Sequence, residues 1–168
     1  MRLGVVIVSL LLLGQLSCSD GDIDASPTPD PYPSIPASFN DDPSITTLNG
    51  TWKVYSFENL PANTIEYKTR KNSGGQDIIV EFNDTKDPHG FSGIKTTNSF
   101  GGEFNYVGAR QFKLKGVIST LAGQPAWADE FDKMVTYGLY KEVTFIINDE
   151  MLRIYYRFNT KSVTLIKE

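Results

Sequence analysis

From Leu48 onward, apolar and polar residues alternate over short runs, a pattern typical of strands that are buried on one face. In the run 111–118, Phe112 and Leu114 share one face, whereas Lys113 and Lys115 share the other. The runs that predict strands are 51–57, 77–82, 90–96, 101–106, 111–118, 142–147, 151–158 and 162–166. The polar segment 60–76, which carries Ser73-Gly74-Gly75 near its end, predicts a structure that is mostly loop.

One segment has helical spacing instead. Trp127, Phe131, Met134 and Val135 recur at i, i+4, i+7 and i+8, which predicts an amphipathic helix over 125–139 with its apolar stripe in the core. Three strands follow this helix. The sequence therefore predicts a mainly β fold with one helix: a small antiparallel, partly open barrel or curved sheet of about eight strands, with the helix inserted before the last three strands.

The first 17 residues carry a different pattern. Arg2 precedes a nearly unbroken apolar run over 5–13, and small residues lead from it to Cys18. A helix over this run covers about 14 Å, roughly half of a hydrocarbon core. The segment is therefore too short for a comfortable membrane span, and it predicts an export signal.

Leu16-Ser17-Cys18 resembles the lipobox of bacterial lipoproteins, in which the cysteine is acylated and becomes the first residue of the mature chain. The resemblance implies a signal peptide over 1–17 and a membrane anchor at Cys18, whose acyl chains, such as palmitate, bind the bilayer durably. The alternative is an ordinary secreted protein with an incidental cysteine. As the single cysteine, Cys18 also excludes an intrachain disulfide and any cage of several thiolates.

The stretch 19–24 is acidic and resembles the signal that routes lipoproteins of the Bacteroidota to the outer face of the outer membrane. The location predicted is thus an outer-membrane lipoprotein exposed at the cell surface; the alternative is a solvated spacer and a periplasm-facing protein. Six prolines follow between Ala25 and Pro43, a composition typical of an extended tether. The predicted organisation is a signal peptide (1–17), a lipidated cysteine with its tether (18–47) and one β domain (48–168).

Net charge separates the tether from the domain. The whole chain has a formal charge of −4, but residues 19–47 hold six acidic residues and no Lys or Arg, and the domain is close to neutral at +1. A near-neutral domain lacks the basic stripe that nucleic-acid binding requires. The membrane, through the anchor, is the predicted partner, and nucleic acid is not.

Three motifs of the domain resemble the META, or HslJ-like, family of bacterial envelope proteins. They are Leu48-Asn49-Gly50-Thr51-Trp52, then Asn98-Ser99-Phe100-Gly101-Gly102-Glu103-Phe104, then Ser119-Thr120. The resemblance implies a small β fold in the envelope, loosely linked to stress tolerance, without a general catalytic activity. We therefore expect no enzyme activity, no catalytic residue, no cofactor and no metal.

A candidate binding surface lies on the strand 151–158, where Arg153, Tyr155 and Arg157 alternate with an apolar stripe. Exposed tyrosine and arginine favour binding, here of a protein, peptide or glycan. Two alternatives stay open. One is a lipocalin-like carrier of a small apolar ligand, because lipocalins share the Gly-x-Trp opening of Gly50-Thr51-Trp52. The other is an envelope enzyme. The one histidine, His89, is predicted to lie in an exposed turn.

Overall fold

The computed structural model describes residues 39–120 and 122–168; the predicted signal peptide, Cys18 and most of the tether lie outside these residues. Their elements are β1 (Gly50–Asn59), β2 (Thr64–Tyr67), α1 (Arg70–Ser73), β3 (Ile78–Asn83), β4 (His89–Lys95), β5 (Asn98–Gly108), β6 (Gln111–Ser119), α2 (Ala126–Tyr140), β7 (Val143–Ile147), β8 (Met151–Tyr156) and β9 (Lys161–Lys167). Within the described ranges, no helix has the length and apolar character to cross a bilayer.

Eight of the strands form a closed antiparallel barrel. They follow one another in the order β1, β3, β4, β5, β6, β7, β8, β9, and β9 pairs back with β1 along most of its length. A register shift between Val54 and Ser56 marks a bulge in β1, which bends the strand. The prediction of a mainly β barrel with a helix before the last three strands is confirmed, and the barrel is closed rather than partly open.

The prediction of a loop over 60–76 is wrong in part, because this segment contains β2 and α1. All four residues of β2 are exposed, so the strand lacks the alternation that burial imposes, and pairing with the second half of β1 holds it in place. Thr69 is the N-cap of the single turn α1, and its hydroxyl accepts from the N–H of Asn72 in a capping box. Both features depend on local hydrogen bonds rather than on an apolar pattern.

Aromatic rings fill the interior. The ring of Phe82 lies 5.5 Å from that of Phe104 and 6.0 Å from that of Phe112, measured between centroids. Helix α2 covers one end of the barrel, where Trp127 packs edge-on against Phe57 at 4.7 Å. The predicted helix and its buried stripe are confirmed.

Residues before β1 close the other end. Leu48 is fully buried; its N–H donates to the hydroxyl of Tyr106 at 2.7 Å, and its carbonyl accepts from the indole N–H of Trp52 at 2.9 Å. Further upstream, Asp42 and Ile147 form a backbone hydrogen bond at 2.8 Å, and the carboxylate of Asp41 accepts from the N–H of Ile147. The last residues of the predicted tether are thus bonded to the barrel.

Candidate functional site

A pocket of about 450 Å³ lies at the α2 end of the barrel, between the helix, the start of β5 and the loop that leads into α2. We call it the helix pocket. Its lining combines apolar side chains with polar groups of several kinds, among them Lys95, Asn98, Phe100, Gln124, Asp132 and Leu139. Such a mixture is typical of sites that orient a small ligand.

Asn98 builds one wall of the helix pocket. Its side-chain carbonyl accepts from the N–H of Ala122 at 2.8 Å and from the hydroxyl of Thr120 at 3.2 Å, while its amide donates to the carbonyl of Ala122 at 3.0 Å. Asn98 and Thr120 belong to two of the three motifs that resemble the META family. The structure brings these motifs together, and Asn98 fixes the loop before α2.

Lys95 supplies a positive charge at the helix pocket. Its ammonium group lies 2.5 Å from Asp132 Oδ1, and the lysine side chain is 5% exposed whereas that of Asp132 is 34% exposed. Gln124 donates to the second oxygen of Asp132 at 2.7 Å. An almost buried ammonium therefore sits beside a carboxylate that solvent, or a ligand, reaches from one side.

Sequence reasoning missed Lys95, although a signal was present. The residue follows Phe91 and Gly93 at alternate positions of β4, so the strand pattern places it on the core face. A lysine at such a position requires a partner. Its partner, Asp132, lies on the helix, and no spacing in the sequence indicates that the two meet.

The candidate residues of β8 occupy a different surface. Arg153 forms an ion pair with Glu58 at 3.1 Å and donates from Nε to the hydroxyl of Thr164 at 3.0 Å. The ring of Phe39 lies 5.4 Å from its guanidinium carbon. Tyr155 is half-buried on the same side of the strand. The guanidinium of Arg153 is therefore engaged by the chain's own groups.

Arg157 does not share this surface, contrary to the alternation predicted over 151–158. Strand β8 ends at Tyr156, and Arg157 opens a turn in which it, Phe158 and Asn159 have positive φ angles of 50°, 56° and 60°. The left-handed backbone interrupts the alternation of faces. Arg157 is exposed at the α2 end of the barrel.

His89 is the first residue of β4 and half-buried, so the prediction of an exposed turn is wrong at this position. Its ring lies 5.4 Å from the rings of Phe104 and Tyr106, and its Nδ1 is 2.8 Å from the carbonyl oxygen of Lys86. These contacts indicate that the side chain of His89 packs against the aromatic rings of β5. Within 39–120 and 122–168, no group of three or more His, Cys, Asp or Glu is arranged to hold a metal ion.

Comparison with known proteins identifies the fold alone. No protein-family model and no curated protein matches the chain. A protein from Burkholderia xenovorans, solved by NMR, is similar in structure with a TM-score of 0.58 and 12% identity, over 83% of this chain and 97% of that one. A DUF4847-family protein from Bacteroides vulgatus, solved by crystallography, has a TM-score of 0.50 and 14% identity, over 71% and 93% of the two chains. The resemblance to the META family stays a prediction.

Proposed function

We propose that the chain is an outer-membrane lipoprotein, acylated at Cys18 and exposed at the cell surface, whose barrel is a non-catalytic binding domain. The pattern of residues 1–17 and the acidic stretch 19–24 support the export and the location. The likeness to a solved protein from Burkholderia xenovorans concerns the barrel fold alone, so the binding role rests on the site described next. A periplasm-facing lipoprotein is the alternative that the first experiment below distinguishes.

We place the ligand in the helix pocket, and the observation that carries this choice is the almost buried ammonium of Lys95 beside the accessible carboxylate of Asp132. Together with Gln124, these groups offer hydrogen-bond donors and acceptors in the lining of the pocket, which also contains the apolar side chain of Leu139. This chemistry suits a small ligand with hydroxyl or amide groups, as in a glycan or a peptide.

The carrier alternative receives less support from the packing. A lipocalin-like carrier needs a cavity of several hundred cubic ångströms inside its barrel. The described interior positions are instead occupied by aromatic rings in mutual contact, such as Phe104 against Phe112 at 5.9 Å and Phe112 against Phe145 at 6.1 Å.

Metabolic labelling with a palmitate analogue tests the anchor. The native chain is expected to incorporate the label and to be shaved from intact cells by protease, whereas Cys18→Ala is expected to incorporate none. A labelled chain that resists shaving until the outer membrane is opened would replace surface exposure with the periplasm-facing alternative. Equal recovery of both chains, unlabelled and soluble, would refute the lipoprotein assignment.

Amide NMR of the full chain with a panel of oligosaccharides and short peptides tests the helix pocket. Binding is expected to move the signals of Ala122, Gly123 and Gln124. Thr136→Trp fills the pocket from α2 and should abolish binding, whereas Lys133→Trp, on the same helix outside the lining, should not. Signal changes confined to other surfaces would contradict the assignment while leaving the lipoprotein proposal intact.

A further inference from the structure

A second pocket, of about 410 Å³, lies beside the helix pocket, and we call it the lysine pocket. Its lining includes Asn105, Lys113, Lys115 and Gly116 of strands β5 and β6, together with Leu139 of α2. Leu139 also lines the helix pocket, and Gly116 and Val117, consecutive in β6, line one pocket each. The two pockets are therefore neighbours along β6 beside α2, and together they form what we call the groove.

The lysine pocket carries a positive charge. Lys113 and Lys115 are both exposed at alternate positions of β6, so they lie on the same face of the strand. In the part of the chain that the structure describes, neither ammonium group forms an ion pair with a carboxylate. Glu103, the register partner of Lys115 on β5, offsets one of the two charges. The charge that remains attracts a carboxylate.

The helix pocket has the opposite charge. Asp129 and Asp132 both line it, and the amide of Gln124 donates to both carboxylates, at 2.8 Å and 2.7 Å. Lys95 neutralises Asp132. Asp129 is exposed, and within 39–120 and 122–168 no ion pair engages it. The lining thus holds two carboxylates against one ammonium group, and this excess of negative charge favours a ligand with an ammonium group of its own.

The groove separates these opposite charges by the length of a short peptide. Positions 113–116 of β6 line the lysine pocket, and positions 117 and 119 line the helix pocket. At about 3.3 Å per residue, the strand from 113 to 119 measures roughly 20 Å. An extended peptide of four to six residues measures roughly 13 to 20 Å. Its two ends therefore reach both pockets at once.

Between its charged ends, the groove offers apolar side chains and accessible backbone. Leu139 and Val117 are half-buried, so each presents part of its side chain. Gly116 is exposed and has no side chain, so its exposed surface is backbone; its φ is 61°, and a Cβ at this position would meet nothing within 4 Å. The exposed amide of Asn105 adds a donor and an acceptor. These groups suit the peptide bonds and side chains of a peptide.

We propose that the groove binds a linear peptide of about four to six residues with free ends, its amino terminus at Asp129 and its carboxyl terminus over Lys113 and Lys115. This inference rests on the proposed function of the helix pocket, and it narrows the ligand from a glycan or a peptide to a peptide. A neutral oligosaccharide leaves both charged ends of the groove without a partner. The ammonium and carboxylate groups of a free peptide complement those ends in one orientation only.

Amide NMR titration of the full chain with the peptide Ala-Leu-Leu-Ala tests this proposal. Four forms are compared: both ends free, the amino end acetylated, the carboxyl end amidated, and both ends blocked. The free form is expected to bind most tightly and to move the signals of Gly116 and Gly123, one in each pocket. Blocking either end should raise the Kd about two- to fivefold, the effect of one accessible charge pair.

Variants of the helix pocket show where the amino end binds. Asp129→Asn should weaken binding of the peptide with a free amino end and leave the acetylated form unaffected. The matched control is Glu130→Gln, which removes the same charge from the next residue of α2, outside the lining of both pockets. This control should bind all four forms as the native chain does.

Variants of the lysine pocket show where the carboxyl end binds. Lys113→Gln combined with Lys115→Gln should weaken binding of the peptide with a free carboxyl end and leave the amidated form unaffected. The matched control combines Lys71→Gln with Lys86→Gln, two exposed lysines outside the lining of both pockets. All four lysines are exposed, so both double variants are expected to fold.

Equal affinity for the four forms of the peptide would overturn the proposal, as would an effect of Asp129→Asn that is the same for the free and the acetylated amino end. Absence of binding by every form would also overturn it. If oligosaccharides then still move the signals of Ala122 and Gln124, the proposed function of the helix pocket stands and only the peptide assignment fails. If neither class of ligand moves them, both fail.

Discussion

The backbone N–H of Leu48 donates to the phenol oxygen of Tyr106 at 2.7 Å, and the same hydroxyl donates to Asp84 at 2.8 Å. Through this oxygen, the segment before β1 is joined to the wall of the barrel. Leu48 is 0% exposed, so its N–H has no access to water. This hydrogen bond therefore helps to hold the residues before β1 over the end of the barrel opposite α2.

Tyr106→Phe should destabilise the protein by about 1–3 kcal/mol, because the buried N–H of Leu48 loses its acceptor. Denaturant unfolding followed by circular dichroism measures the change. Tyr137→Phe is the matched control. The hydroxyl of Tyr137 accepts from the N–H of Phe158 in an exposed turn, where water can take the place of the lost acceptor. An equal loss in both variants would contradict the assigned role.

Stability should fall at alkaline pH. Burial, reinforced by Asp84, raises the pKa of Tyr106, and burial, reinforced by Glu130, raises the pKa of Tyr156. The unfolded tyrosines lose their protons near pH 10, where the folded ones still hold theirs. The unfolded state then binds fewer protons, so the free energy of unfolding is intact below about pH 10 and declines above it.

Unfolding curves at a series of pH values from neutral to above 10 measure this decline. Tyr106→Phe should make it shallower, because one of the two shifted groups is removed. A free energy of unfolding that is constant through pH 11 would show that these hydroxyls ionise as readily in the folded state as in the unfolded one.

Asn98→Ala should release the loop before α2. Three hydrogen bonds to Ala122 and Thr120 are lost, and we expect a destabilisation of about 1–3 kcal/mol together with faster amide exchange at Ala122. Ser99→Ala, one residue along the chain and exposed, should change neither quantity. If Asn98→Ala left the exchange of Ala122 unaltered, the loop would be held by other contacts.

Removing either partner of the Lys95–Asp132 ion pair should lower the stability of the protein, but by unequal amounts. Asp132→Asn leaves the almost buried ammonium of Lys95 without its counter-charge and should destabilise by about 3 kcal/mol. Lys95→Met leaves a carboxylate that is one-third exposed and still bonded to Gln124, so its effect should be smaller. Thermal unfolding of both variants and of the double variant measures the difference, and the reverse order would contradict this account.

Much of the fold follows from local pattern. Alternation located the barrel strands to within a few residues, and the spacing of Trp127 and Phe131 located α2, because burial of one face imposes a period on the sequence. Strand β2 was not predicted, because its residues are all exposed and show no periodic pattern of burial. Its strand conformation depends on backbone pairing with β1.

Local patterns along the chain encode the repeating faces, the helix, the proline-rich segment before Phe39 and the placement of Cys18 at the end of an apolar run. The folded barrel adds three relationships that no local pattern indicates: β9 closes on β1, Lys95 meets Asp132, and Phe39 lies on Arg153. The two members of each of these pairs are far apart along the chain. Local periodicity records which face of an element is buried, whereas its partner across the barrel is set by strand register and by the closure of the whole sheet.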